Sequence, residues 1–192
     1  MRNGKVLRVS VTDRCDLRCV YCMPERGVPL APMADLLTYE EIAAVARAAM
    51  ALGVRRLRLT GGEPLARRGV AALVGLLAGL GPDDLAMTTN GMRLAEAAAD
   101  LKAAGLMRVT VSLDTLREDR FERITRRTGL GRILAGLEAA RAAGLAPLKV
   151  NTVVIRGVND DEVPDFVRFA EREGVEVRFI ELMPTSGLSP EC

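Results

Sequence analysis

Apolar and polar residues alternate with a period of two in several short stretches, and longer runs with apolar positions at helical spacing lie between them. Six stretches, 6–12, 56–60, 85–89, 108–114, 148–155 and 175–182, read as strands. A glycine stands at the helix-to-strand junction in Leu52-Gly53-Val54, Ala104-Gly105-Leu106, Ala143-Gly144-Leu145 and Glu173-Gly174-Val175, where a helix C-cap is expected. Thr38 with Glu41, and Asn159 with Glu162, have the spacing of a capping box and predict helix starts near 39 and 160. Such alternation predicts parallel strands joined by right-handed crossovers.

Strand parity narrows the architecture. Leu7, Val9 and Val11 alternate with Arg8, Ser10 and Thr12, and Leu57 and Leu59 alternate with Arg56, Arg58 and Thr60. The stretch from 108 sets Val109, Val111 and Leu113 against Thr110, Ser112 and Asp114, and Lys149 and Asn151 share one side of the next. A sheet covered by helices on both faces would be apolar on both. A closed eight-stranded barrel would fill its interior with branched aliphatics. The expected fold is therefore α/β, a partial (β/α)6 barrel of the TIM type, with helices outside and a polar cavity inside. Arg8, Arg56, Arg58 and Lys149 would converge there on an anionic ligand, since guanidinium forks suit phosphate or carboxylate oxygens; the plainer reading leaves them solvated at strand ends.

Composition bounds the function. The 192 residues are 49% apolar, enough for one sizeable core, and no shift in composition marks a second domain, so 1–192 is expected to be one domain. No apolar run approaches the roughly 20 residues that span a bilayer. A net charge of +2 with 3% aromatic residues argues against a nucleic-acid groove. The four cysteines cannot form a secreted disulfide framework and the first residues carry no signal run, so a reducing, cytoplasmic setting is expected. There is no histidine, so acid-base or metal chemistry must use other groups.

Three segments could carry chemistry. Cys15, Cys19 and Cys22 form a C-x3-C-x2-C loop that offers three thiolates and no fourth. A cubic iron-sulfur cluster has four corners, so three thiolates leave one iron open to another ligand. Zinc is the alternative, with the remote Cys192 completing four ligands. Thr60-Gly61-Gly62-Glu63-Pro64 ends a strand; its glycines would let the backbone approach a ligand and Glu63 would offer a carboxylate to an ammonium group, although alone it equally fits a turn. Glu181-Leu182-Met183-Pro184 closes the last strand. The pairs Arg67-Arg68 and Arg126-Arg127 read as solvated helix faces.

Taken together, the cysteine loop and Gly61-Gly62-Glu63-Pro64 resemble the radical S-adenosylmethionine superfamily. The run from Leu7 through Thr12-Asp13-Arg14-Cys15 to Tyr21-Cys22-Met23-Pro24 is similar, within it, to the GTP 3',8-cyclase family of molybdenum cofactor biosynthesis. So are Thr88-Thr89-Asn90-Gly91, Val111-Ser112-Leu113-Asp114, Lys149-Val150-Asn151 and Phe179-Ile180-Glu181-Leu182-Met183-Pro184. The resemblance implies that Cys15, Cys19 and Cys22 hold a 4Fe-4S cluster, that Tyr21, Gly62, Glu63, Ser112 and Met183 bind S-adenosylmethionine, and that Arg8, Arg58, Thr89 and Lys149 bind GTP. It implies a lyase that makes (8S)-3',8-cyclo-7,8-dihydroguanosine 5'-triphosphate through a 5'-deoxyadenosyl radical. It also implies a one-electron reductant such as flavodoxin or ferredoxin, and a homodimer. The resemblance implies a further region that binds a second 4Fe-4S cluster, expected not to be encoded in residues 1–192, and Cys192 is expected to be an ordinary thiol. Other readings are another radical enzyme, such as a peptide or sulfatase maturase or a haem-pathway enzyme, and a non-catalytic remnant that binds S-adenosylmethionine or a nucleotide.

Overall fold

A computed structural model describes residues 5–183. Six strands alternate with helices: β1 (Lys5–Ser10), α1 (Tyr39–Ala51), β2 (Val54–Thr60), α2 (Val70–Ala78), β3 (Asp84–Thr89), α3 (Leu94–Ala103), β4 (Arg108–Ser112), α4 (Glu118–Thr125), α5 (Leu130–Ala142), β5 (Lys149–Val154), α6 (Val163–Glu173) and β6 (Glu176–Glu181). All pairings are parallel and the order is β1-β2-β3-β4-β5-β6, with β1 and β6 at opposite edges of an unclosed sheet. A doubly wound sheet would reverse direction at a switch point. Sequential order with right-handed crossovers instead puts every helix on one side, as in a barrel wall.

Register shows which residues face which side. Leu57, Leu59, Leu85, Met87, Val109, Val111 and Val150 are fully buried in one core with Leu73, Leu77, Leu94, Leu101 and Ile133 of the helices. Each fully buried aliphatic side chain there contributes about 1.5–3 kcal/mol. The opposite parity pairs Arg8 with Arg58, Arg56 with Asp84, Arg58 with Ala86, Thr110 with Lys149, Lys149 with Glu176 and Asn151 with Arg178. The polar inner face expected from the sequence is present.

The helix signals fared unevenly. Thr38 and Glu41 close a reciprocal capping box, the Thr38 amide donating to Glu41 Oε2 at 2.7 Å and the Glu41 amide to Thr38 Oγ1 at 3.2 Å. Asn159 and Glu162 do not. A short 3-10 turn fills Asp160–Glu162, and α6 begins after it without a side-chain cap. The Asn159 carboxamide donates instead to the carbonyls of Asp114 (2.6 Å) and Val153 (2.8 Å). Glu162 accepts from Thr115 Oγ1, the Leu116 amide and Arg120. Long-range partners at the β4 and β5 exits prevailed over the local cap, and they brace the loop that begins with Asp114.

Candidate functional site

The carboxyl ends of β2, β3 and β4 and the cysteine loop enclose a cavity of about 200 Å³. Cys15, Cys19, Tyr21, Cys22, Gly62, Thr89 and Ser112 all line it. Seven of the residues expected at the site, from four separate segments, are thus brought together where parallel folds place ligands. Among the described residues, no three cysteine, aspartate or glutamate side chains converge as tightly as a single metal ion requires. Three thiols lining one cavity are the ligand set that a cluster with one open corner calls for. Cys192 and Pro184 lie outside the described residues.

The cysteine loop is held from several sides. The Arg18 and Val20 amides donate to the Thr125 and Ile124 carbonyls at the end of α4, both at 2.9 Å. Arg126 caps α4 in the left-handed region (φ 55°), a conformation that costs a non-glycine residue about 1–2 kcal/mol. Its side chain offsets that cost by donating to the carbonyls of Arg18 (2.9 Å) and Met23 (3.3 Å), on either side of Cys19 and Cys22. Arg67 donates to the carbonyls of Val11 and Leu37 and lies 4.4 Å over the Tyr39 ring. The reading of Arg67 and Arg126 as solvated faces is therefore corrected; charge pattern alone cannot tell a solvated arginine from one whose fork finds backbone carbonyls.

Gly61 and Gly62 approach the polypeptide itself. A Cβ on Gly62 would lie 2.3 Å from the Arg14 carbonyl oxygen, and one on Gly61 would lie 2.6 Å from that of Thr12. The Gly62 amide donates to Thr12 O at 2.6 Å and the Glu63 amide to Arg14 O at 2.7 Å. The glycine pair lets the β2 loop zip onto the start of the cysteine loop, and any side chain would push the two apart.

Glu63 also departs from expectation. It is 1% exposed and does not line the cavity; Oε1 accepts from Thr89 Oγ1 (2.7 Å) and the Leu65 amide (2.9 Å), and Oε2 from the Asn90 amide (2.6 Å). Burial pushes its carboxyl above the usual range against the pull of those bonds. A carboxylate so engaged ties the β2 loop to the β3 loop rather than standing open to an ammonium group. Thr89 lines the cavity, but its hydroxyl donates to Glu63 and accepts from the Gly91 amide at 3.1 Å.

Tyr21 lies between Cys19 and Cys22 in the loop and donates its hydroxyl to Asp114 Oδ2 at 2.6 Å. The Val153 amide donates to Asp114 Oδ1 at 2.8 Å. Burial raises the Asp114 carboxyl, and burial together with the neighbouring Asp114 raises the Tyr21 phenol well above its ordinary value. Burial also raises all three thiols, most strongly Cys19, which Asp114 raises further. A coordinated metal reverses that direction, because binding draws the proton from a thiol.

The remaining expected residues stand apart from the cavity lining. Arg8 is exposed on edge strand β1. Arg58 pairs with Asp84 at 3.1 Å, and its Nη1 is buried with no hydrogen-bond partner among the described residues, as is Asn151 Oδ1. Lys149 forms an ion pair with Glu176. Met183, 71% exposed beyond β6, is not brought to the cavity. Arg108 and Arg178 are not among the expected residues although both have inner-face parity; Arg108 grips Asp84 through Nε (2.8 Å) and Nη2 (2.6 Å). Their signal was available, since Arg108 begins the same alternation as Thr110 and Ser112.

The Radical SAM superfamily model matches residues 9–170. GTP 3',8-cyclase of Moorella thermoacetica is 54% identical over 184 residues, covering 95% of this chain and 57% of that enzyme. The enzyme of the same name from Pelotomaculum thermopropionicum is 53% identical over 189 residues, covering 98% and 58%. The chain thus spans about half the length of the curated relatives it matches. Among solved structures, Streptococcus suis SuiB bound to S-adenosylmethionine superposes with a TM-score of 0.76 at 17% identity, covering 96% of this chain and 42% of that one. At that identity the likeness concerns the fold alone.

Proposed function

The chain belongs to the Radical SAM superfamily, whose members use a 4Fe-4S cluster and S-adenosylmethionine, and from that premise we propose that it forms the radical core of a GTP 3',8-cyclase-type lyase acting on GTP. The observation that carries this reading is a division of one polar surface into two levels. Three thiols gather at the strand carboxyl ends, and Arg8, Arg58 and Lys149 occupy the inner face of the strands below.

Cys15, Cys19 and Cys22 would hold the cluster, with Tyr21, Gly62 and Ser112 around the bound S-adenosylmethionine. When bound, the pair supplies radical hydrogen abstraction, which is chemistry of the cofactor. The chain's own residues bind, orient and exclude water. Gly61 and Gly62 fix the separation between the β2 loop and the cysteine loop, and Asp114 holds Tyr21 against the cavity. Arg8, Arg58 and Lys149 supply charge to a triphosphate. Orientation of the ribose relative to the rim then decides which carbon–hydrogen bond reacts.

Residues 1–192 serve as one core domain in this reading. A flavodoxin- or ferredoxin-like reductant, a homodimeric assembly and a cytoplasmic setting accompany it; no described helix is long and apolar enough to cross a membrane. The peptide-maturase and haem-pathway alternatives call for peptide or tetrapyrrole contacts, and the cationic inner face favours the nucleotide. Anaerobically reconstituted, reduced protein given S-adenosylmethionine should release 5'-deoxyadenosine, and GTP should bind with an affinity that falls on Lys149→Ala while the cluster spectrum stays the same. No 5'-deoxyadenosine above a Cys15→Ala control would sink the radical assignment; unchanged GTP affinity would sink the substrate.

A further inference from the structure

Asn90 follows β3 and is nearly buried, at 9% exposure. Every polar atom of the residue that matters here has a fixed direction. Its backbone amide donates to Glu63 Oε2 at 2.6 Å. Its Oδ1 accepts from the Met92 amide at 3.0 Å. Its Nδ2 donates to Asp16 Oδ1 at 2.6 Å, and the other Asp16 oxygen accepts from Arg93 Nε at 3.0 Å. The Met92 amide needs an acceptor and Asp16 needs a donor, so both ends of the carboxamide demand the same orientation. One Nδ2 hydrogen goes to Asp16. The second faces Cys15 Sγ, 3.8 Å away.

We propose that Asn90 is a tuning residue for the iron-sulfur site, donating a hydrogen bond to the Cys15 thiolate and thereby raising the reduction potential of the cluster that this thiolate holds. The inference rests on the cluster assignment to Cys15, Cys19 and Cys22. A donor aimed at a ligating sulfur draws density from it and favours the reduced cluster, which carries one more negative charge. Two nearby features make the contribution needed and effective. Asp16 and Glu63 both place negative charge near Cys15 and oppose reduction, and the site's partial burial strengthens any dipole directed at the sulfur. Asn90 answers both at once: its side chain neutralises part of the Asp16 field and its backbone binds Glu63. It acts through Cys15, setting how readily the site accepts an electron.

Potentiometric titration of the reconstituted chain, followed by the electron paramagnetic resonance of the reduced cluster without S-adenosylmethionine, tests this. Asn90→Asp keeps the shape and the acceptor for Met92 but replaces the donor with a charge. Asn90→Ser removes the amide donor without adding charge. Both variants should retain iron and sulfide, and the midpoint should move to more negative potential in both, further in Asn90→Asp. Variants that hold iron at the wild-type midpoint overturn the proposal and leave the cluster assignment standing, whereas wild-type protein without iron and sulfide overturns that assignment and the proposal with it. Should either variant not fold, the wild type labelled with 15N-asparagine decides: a nitrogen coupling to the reduced cluster that changes with the label supports the proposal, and its absence refutes it.

Discussion

At the rim, Glu63, Asn90, Asp114 and Glu162 are buried with their polar groups matched to protein partners, whereas on the inner face below, Arg58 Nη1 and Asn151 Oδ1 are buried with none among the described residues. The contrast separates two tasks. A matched network holds loops from different strands at fixed spacing whether or not a ligand is bound, which is what a cofactor with demanding geometry requires. A buried donor left unmatched costs about 1–3 kcal/mol, a cost that a bound anion would relieve. The rim is held by its own contacts, and on the proposed reading the inner face is completed by the substrate.

The sharpest break between the two levels comes from the thiols. Cys15→Ala should lower cluster iron and 5'-deoxyadenosine to background while GTP binding changes little, measured by iron content and by calorimetry on the same preparation. Lys149→Ala should do the converse, weakening GTP about 10-fold to 100-fold, the equivalent of about 1.5–3 kcal/mol for a hydrogen bond to a charged group. Arg126→Gly relieves left-handed strain of about 1–2 kcal/mol but removes two guanidinium bonds to the cysteine loop. The expected result is a melting temperature within a few degrees of wild type and several-fold faster loss of iron to a chelator. Equal rates would mean that the α4 cap does not hold the loop.

The smallest expected effect concerns Asp84. Burial alone would raise its carboxyl, but the Arg108 hydrogen bonds and the charges of Arg108 and Arg58 outweigh that and hold it below the usual carboxylate range. In the unfolded chain it titrates near its ordinary value of about 3.9. Between the folded and unfolded values the unfolded state binds more protons, so this stability is present above about pH 4 and is lost as pH falls through the folded value. Asp84→Asn should therefore flatten the acid limb of the melting curve, with little change in its slope above pH 5.

Much of the scaffold was legible because it rests on local periodicity. Gly53, Gly105, Gly144 and Gly174 all take positive φ at the helix ends where the sequence put them. The alternation of Leu57 and Leu59 with Arg56 and Arg58 told the helix side from the cavity side. Contacts between distant segments were not legible. Nothing local distinguishes a capping Asn159 from one that reaches the Asp114 carbonyl, or a solvated Arg126 from one that clamps Met23. Glu63 shows the same limit at the site itself: its place in a conspicuous motif pointed to a ligand, and the backbone of the β3 loop claims its oxygens instead.

The central claim is that Cys15, Cys19 and Cys22 share one cluster at the rim. Oxygen-free reconstitution followed by quantitation of iron and acid-labile sulfide tests it most directly. The account predicts about four of each per chain, lost when any one of the three cysteines becomes alanine. Wild-type protein that binds zinc but no sulfide, or alanine variants that load as fully as wild type, would contradict it.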